Sequence, residues 1–568
     1  MRRALPWLVI ASLTALGGCD GGGGSMDAGT DSGTSDAGTD APYVPPDTRP
    51  PDPVSFGAVG SSSAASGEGS FRFGVATAAT QIEDMNPHTD WHAWTSPESE
   101  GGLGNGTFVG DAVRGYSLAV EDVALLEQLN VDSYRFSMEW ARIEPMRDTR
   151  DMEGVAHYRT LLEALDAAGI QPNVTVHHFS NPVWIEDPRI DPDMCTDSES
   201  QLCGWAVEAS VPLIVEEIRE HACFLGTTYG DLVDDWGTIN EPVNYMFAGW
   251  GSAQFPPGRA YVFGAFDRFL RVVRAFISAH SAIYDALKEC DTVDADGDGV
   301  AASVGLPLSV ANWVPSRGGR PSANPEDVAA AERMTYVYHY LFVDSVMNGT
   351  FDPGLDGTAE ELHPEWLWTP EGGGEARPSI DWLGLQYYFR AGVTARPALL
   401  PVLNVTPCFG PLNSGACLAP AHETFWVPDM GYEFWPAGFL DVMRAVAGRY
   451  PELPLMVTEA GIATHVGERR AENVVRVLEQ VAVARAEGID LRGYYHWSLM
   501  DNFEWAEGYE PLFGLFTVDR ESAGYTRTPT LGATVYGAIA GSRMLTMEQR
   551  VTYGGLGPMT PEPTTPEM

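Results

Sequence analysis

The stretch WGTINEP (residues 236–242) decides how the rest of the chain is read. An apolar, strand-like run arrives at a polar end, Asn240-Glu241, and Pro242 stops it, because proline cannot donate to a ladder of backbone hydrogen bonds. A carboxylate is therefore expected at the mouth of a strand. LPLMVTEAG (453–461) has the same build: Leu455, Met456 and Val457 form a buried run, Thr458 and Glu459 end it, and Gly461 opens a loop. Two strands each delivering a Glu to one cleft are what hydrolysis of a glycosidic bond needs, since one carboxyl protonates the leaving oxygen while the other attacks or positions water.

Outward from these two runs, the same unit recurs. FRFGVAT (71–77), SYRFSM (133–138), PNVTVHH (172–178), ASVGLPLSV (302–310), DWLGLQYY (381–388) and GYYHWSLMD (493–501) are further apolar or β-branched runs, the one at 302–310 being the weakest. Helix-period segments lie between them, among them YSLAVEDVALLEQLN (116–130), HYRTLLEALDAAG (157–169) and ERRAENVVRVLEQVAVARAEG (468–488). Eight strands alternating with helices over residues 67–545 predict an α/β fold, a single (β/α)8 TIM barrel with long loops at its C-terminal face, where such barrels carry their sites. Polar residues fall at that face. Gln81 and Glu83 follow the first strand, Arg135 and Glu139 lie in or just after the second, His177 and His178 end the third, and Tyr387 and Tyr388 end the sixth. Trp497 lies in the eighth, with Glu504 and Trp505 beyond it. Each alone reads equally well as packing or a structural pair; their joint placement points to a site.

Residues 1–19 combine Arg2 and Arg3, a short apolar run and Leu16-Gly17-Gly18-Cys19, the marks of a secretory signal, and the Cys resembles a bacterial lipoprotein processing site. An ordinary signal peptide is the other reading. Residues 20–66 hold seven Asp and one Arg among Gly, Ser, Thr, Ala and Pro, the composition of a disordered tether, and 546–568 reads as a disordered tail. Together they predict an exported protein, either lipid-anchored in the bacterial envelope at Cys19 or secreted, with membrane contact only through the lipid. A net charge of −44 argues against nucleic acid as a partner.

Beyond Cys19, six Cys remain, and neighbour spacing pairs Cys195 with Cys203 and Cys408 with Cys417, leaving Cys223 for Cys290; free thiols and other connectivities stay open. No Cys-x-x-Cys spacing points to zinc. Asp294, Asp296 and Asp298 before Gly299 imitate the start of a calcium loop, but Gly305 stands where its twelfth-position Glu belongs, so a solvated turn is the stronger reading.

WGTINEP, VTEAGIA, QIED, YRFSMEWARIEP, TVHHFSNP, DWLGLQYY and WSLMDNFEWAEGYEPLFGLFTVD resemble, in order from about Phe71 to Asp519, the signatures of glycoside hydrolase family 1, the retaining β-glucosidase family. The resemblance implies Glu241 as acid/base, Glu459 as nucleophile, and Arg135 and Tyr387 as the groups that hold Glu459. It implies Asn240 on the sugar 2-hydroxyl, Gln81, His178, Glu504 and Trp505 on the remaining hydroxyls, and Trp497 as the aromatic floor. No cofactor is implied, and the partner is a small β-glycoside or short β-linked oligosaccharide. Glu504-Trp505 keeps the pattern for an unphosphorylated sugar. Three positions depart from the family pattern: Ala460 for Asn after the nucleophile, Gln386 for Asn before the Tyr pair, and Asp84 for Gly in QIEG. A non-hydrolytic sugar-binding relative or a transglycosylase using the same residues remains the alternative, and sugar preference and oligomeric state are not readable.

Overall fold

The computed structural model describes residues 52–60, 69–361, 378–400, 402–408 and 418–563. Eight parallel strands close on themselves: β1 (Arg72–Ala76), β2 (Ser133–Ser137), β3 (Gln171–His177), β4 (Asp235–Ile239), β5 (Ser303–Arg317), β6 (Trp382–Thr394), β7 (Leu455–Ala460) and β8 (Leu491–Trp497). Each pairs with the next, and β8 pairs with β1 through Gly493↔Arg72 to Trp497↔Ala76. Every residue of β1, β2, β4, β7 and β8 is buried. Parallel strands covered on both faces read as continuous apolar runs, which is why they were legible. The run at 302–310, weakest in sequence, belongs to the longest strand, and β5 and β6 stay paired from Gly305↔Trp382 to Pro315↔Val393, well past the barrel rim.

The helices returning between strands are α1 (Ala119–Leu129), α2 (Met152–Ala167), α3 (Val211–Tyr229), α4 (Phe266–Cys290), α5 (Pro325–Thr335) with α6 (Leu341–Asn348), α7 (Pro436–Arg449) and α8 (Gly467–Ala486), and α9 (Leu531–Ser542) follows β8. Asp151 caps α2 by accepting from the backbone N–H groups of Glu153 and Gly154. The barrel interior is filled by side chains: a Cβ on Gly74 would lie 2.3 Å from the ring of Tyr495, whose hydroxyl donates to Ser133 Oγ at 3.0 Å. Cys195–Cys203 and Cys223–Cys290 are disulfides, the second tying α3 to the end of α4. Cys408 is a buried thiol, and its expected partner Cys417, like Cys19, lies outside the described residues.

Both flanks of the barrel differ from expectation. Val54–Ser55, in the expected tether, pairs with Met544–Leu545, and Phe56 is buried against Phe71. Residues 546–563, expected as a disordered tail, form α10 (Met547–Tyr553), capped reciprocally by Thr546 and Gln549, and then an extended segment bound along α8. Residues 558–563 carry no apolar period, and polar groups of α8 hold them in place.

Candidate active site

β4 delivers Asn240 and Glu241 to the C-terminal mouth. The backbone N–H of Asn240 donates to His177 O and that of Glu241 to Pro307 O, so both residues are still gripped by the flanking strands. Pro242 then starts a short helix, Pro242–Met246, a position where its missing N–H costs nothing. Between strand and helix, Glu241 sits at φ +38°, left-handed space that a non-glycine residue enters only under constraint. Its carboxylate is buried and accepts from Asn244 Nδ2 at 2.8 Å, one turn along that helix.

Glu459 ends β7, also buried, and three side chains converge on it. Arg135 Nη1 donates to Oε1 at 2.6 Å, Gln386 Nε2 donates to Oε1 at 2.7 Å, and Tyr388 Oη donates to Oε2 at 2.7 Å. Arg135 Nη2 and Gln386 Nε2 also donate to Asn240 Oδ1, at 2.6 and 2.8 Å, which locks the ends of β2, β4, β6 and β7 into one cluster. Gln386, one methylene longer than the Asn of the family pattern, reaches both acceptors.

Tyr387 is not the tyrosine on Glu459. Its hydroxyl donates to Trp435 O at 2.6 Å and its ring stacks on Phe439, while Tyr388 makes the contact expected of it. The reason is strand parity: alternate residues face the same side, so Gln386 and Tyr388 point toward the site and Tyr387 points away. That signal was present in the sequence, as was Asn244, three residues from Glu241 on the helix Pro242 begins.

Burial pushes the Glu241 carboxyl up to about 8, and the neighbouring Glu459 adds to it. Burial raises Glu459 too, but Arg135 and Tyr388 draw it back toward the anion. The pair is thus split into a proton holder, met by the neutral side chains of Asn244 and Ser309, and a carboxylate with three donors.

The other expected residues surround the pair. Gln81, fully buried on the turn after β1, donates from Nε2 to Phe503 O at 2.9 Å, to Asn502 Oδ1 at 3.1 Å and to Glu504 Oε2 at 3.4 Å. Burial holds the Glu504 carboxyl well above its ordinary range, with Glu507, Glu459 and Glu241 adding like charge. His178 is held neutral by burial and by the Arg135 charge, and its ring lies parallel to Trp497 at 6.2 Å and to Trp505 at 6.1 Å.

The calcium candidates lie at the opposite end of the barrel. Carboxylate oxygens of Asp294 and Asp296 come within 4.8 Å of one another and of Asp234, which directly precedes β4. Asp298 is not in that trio; its Oδ1 accepts from the backbone N–H of Val300 at 2.7 Å. Arg72 Nη2 lies 3.3 Å from Asp296 Oδ2 and supplies positive charge there. An Asx-turn geometry, not a calcium-loop order of ligands, is what DADGDG encodes.

The model of Glycosyl hydrolase family 1 matches residues 67–544. The chain belongs to that family. A beta-galactosidase of Pyrococcus woesei is 27% identical over 495 residues, covering 79% of this chain and 92% of its own. Beta-glucosidase A of Thermotoga maritima is 29% identical over 471 residues, with 79% and 92% covered. Among solved structures, a beta-glycosidase from Pyrococcus horikoshii superposes with a TM-score of 0.67 at 27% identity, covering 85% of this chain and 96% of its own. The Thermotoga maritima beta-glucosidase in complex with deoxynojirimycin gives a TM-score of 0.66 at 25% identity, with 85% and 100% covered. The chain is a family 1 β-glycosidase on a (β/α)8 barrel.

Proposed function

We propose that this family 1 enzyme hydrolyses terminal, unphosphorylated β-D-glycosides or short β-linked oligosaccharides with retention at the anomeric carbon. The observation that carries the mechanism is the unequal setting of the two carboxyls, Glu241 raised to about 8 by burial and Glu459 ringed by Arg135, Gln386 and Tyr388. In the first step Glu459 attacks the anomeric carbon while Glu241 gives its proton to the departing glycosidic oxygen. The glycosyl ester removes the charge of Glu459, so Glu241 loses its proton more easily and serves as base toward water. Water then displaces Glu459, and the sugar leaves with its original configuration. Trp497 offers an apolar face to the C–H face of the pyranose, and Gln81, His178, Asn240, Glu504 and Trp505 take its hydroxyls. Glu504 with Trp505, and no cation beside them in that pair, suits a neutral sugar. We place the activity outside the cytoplasm, the enzyme lipid-tethered through Cys19.

The test is turnover of a panel of aryl β-glycosides by wild type, Glu459→Ala and Glu241→Ala. The reading requires glycoside hydrolysis that vanishes in Glu459→Ala and returns with azide as the α-glycosyl azide. A wild-type chain that binds sugars and cleaves none of the panel overturns it.

A further inference from the structure

Residues 554–563 lie beyond the stretch that matches the family, yet α8 presents a continuous stripe of charge to them. Arg469, Glu472, Arg476 and Glu479 are spaced so as to share one helix face, and all four are buried. Glu479 accepts from the N–H of Gly555 at 2.7 Å and pairs with Arg550 at 2.9 Å. Arg476 donates to Gly557 O at 2.6 Å and Pro558 O at 3.2 Å. Glu472 accepts from Thr560 N at 2.9 Å and Oγ1 at 3.0 Å, and Arg469 donates to Thr560 O at 3.0 Å. The segment is thus held residue by residue, in one register.

That register places Glu562 on the loop that follows Glu459. Its Oε1 accepts from the backbone N–H of His465 at 2.8 Å, its Oε2 accepts from Thr464 Oγ1, and Arg469 Nε stands 3.5 Å away. Thr464 is also a joint between two loops of the catalytic face. Its own N–H donates to Leu512 O at 3.0 Å, and Arg470 Nη2 bridges Thr464 O and Leu512 O. Leu512 belongs to the loop after β8 that carries Glu504 and Trp505, and the next residue, Phe513, packs edge-on against Tyr388, the donor to Glu459. A third loop is reached through Met559, whose N–H donates to Thr424 Oγ1 at 2.9 Å in the segment between β6 and α7.

We propose that Glu562 is a positioning residue for the reaction: by fixing Thr464 and His465 it holds the loops after β7 and β8 in the spacing that a sugar bridging Glu459 and Glu504 requires. A carboxylate with two donors and a nearby guanidinium, itself mostly buried, is a rigid peg. This inference rests on the β-glycosidase reading, which supplies the substrate whose binding it affects.

The experiment compares Glu562→Ala, Glu562→Gln, Thr464→Val and the Glu562→Ala/Thr464→Val double variant in the full chain at 25 °C, with an aryl β-glucoside as substrate and amide hydrogen exchange as a second readout. Glu562→Ala is expected to raise KM about three- to tenfold with a smaller change in kcat, as for the loss of charge-assisted hydrogen bonds at a partly buried site. Amides of 461–466 and 510–513 should exchange faster. Glu562→Gln, which keeps one acceptor oxygen, should recover part of the loss. The double variant should lose less than the sum of the two single losses, since both break the Glu562–Thr464 bond. A variant that melts earlier but keeps wild-type KM, kcat and exchange in those loops would assign the segment to stability alone, and additive losses would break the link through Thr464. Failure of the wild type to cleave any glycoside would count against the β-glycosidase reading only, because loop exchange in Glu562→Ala still decides whether Glu562 fixes the two loops.

Discussion

Each end of the barrel buries an arginine against a carboxylate, and the two arrangements are finished differently. At the floor, Arg72 on β1 has all three nitrogens placed: Nε on Gly60 O at 2.6 Å, Nη1 on Asp235 and Nη2 on Asp296. At the mouth, Arg135 on β2 places Nη1 and Nη2 but leaves Nε without a partner, and Gln81 Oε1, Gln386 Oε1 and His178 Nδ1 around it are likewise buried and unpartnered. A buried polar atom left unpaired costs about 1–3 kcal/mol. At the floor the guanidinium is fully engaged by neighbouring groups, which stabilises the fold, although Gln171 Oε1 beside it is left unpartnered; the mouth keeps several polar atoms for something that arrives. The same chemistry therefore serves stability where the network is closed and recognition where it is open.

The sharpest test of that contrast exchanges one carboxylate at each end. Glu459→Gln should lower kcat by about a thousandfold or more, because it removes the reacting group itself, and it also takes the carboxylate partner from buried Arg135, so the melting temperature is expected to fall with it. Asp235→Asn should leave KM and kcat of the folded enzyme near wild type while weakening the hold on Arg72, which keeps Asp296 and Gly60 O, and destabilising by about 1–3 kcal/mol. Comparable kinetic losses in both variants, measured beside thermal denaturation, would erase the distinction.

A smaller effect separates the neighbouring tyrosines. Tyr388→Phe removes a donor from Glu459 and should lower kcat/KM about tenfold, moving the acidic limb of the pH profile upward because the anion is less well held. Tyr387→Phe removes only the bond to Trp435 O and should cost about 1 kcal/mol of stability with unchanged kinetics. Equal kinetic effects would show that strand parity does not govern which ring acts.

The mildest prediction concerns pH. Activity needs the proton on Glu241, so the basic limb of kcat/KM should fall near pH 8, where that carboxyl loses it. A carboxyl raised in the folded state from 4.5 to about 8 binds its proton more tightly than in the unfolded chain. Its stabilising contribution is full below pH 4.5 and is lost as pH rises through about 8. Glu241→Gln, inactive, should therefore melt about 2 °C or more above wild type at pH 9 and show no such gain at pH 4. A gain at pH 4 and none at pH 9 would contradict the sign.

Much of this was legible in the chain itself. The eight strands announced themselves because parallel strands buried on both faces need unbroken apolar runs, and Asn240, Glu241 and Glu459 stood at the ends of two of them. Local sequence also held the means to choose Tyr388 over Tyr387, through the two-residue period shared with Gln386. Spacing of near neighbours indicated Cys195 with Cys203, and elimination gave Cys223 with Cys290.

What tertiary structure alone decided are relations between groups far apart in sequence. That Gln386 reaches both Asn240 and Glu459 depends on how four strands meet, and that Asp234 replaces Asp298 beside Asp294 and Asp296 depends on where the strand β4 begins under the turn. The clearest case is residues 554–563. Composition marks this stretch as poor in apolar area, and it buries Leu556 and Met559 alone among its large apolar side chains; the rest of its hold comes from the charged stripe of α8, some eighty residues earlier, whose polar face reads in isolation as a surface meant for water. Hydrophobic patterning is local and survives in the sequence, whereas a polar contact is specified only once the fold has brought both partners together.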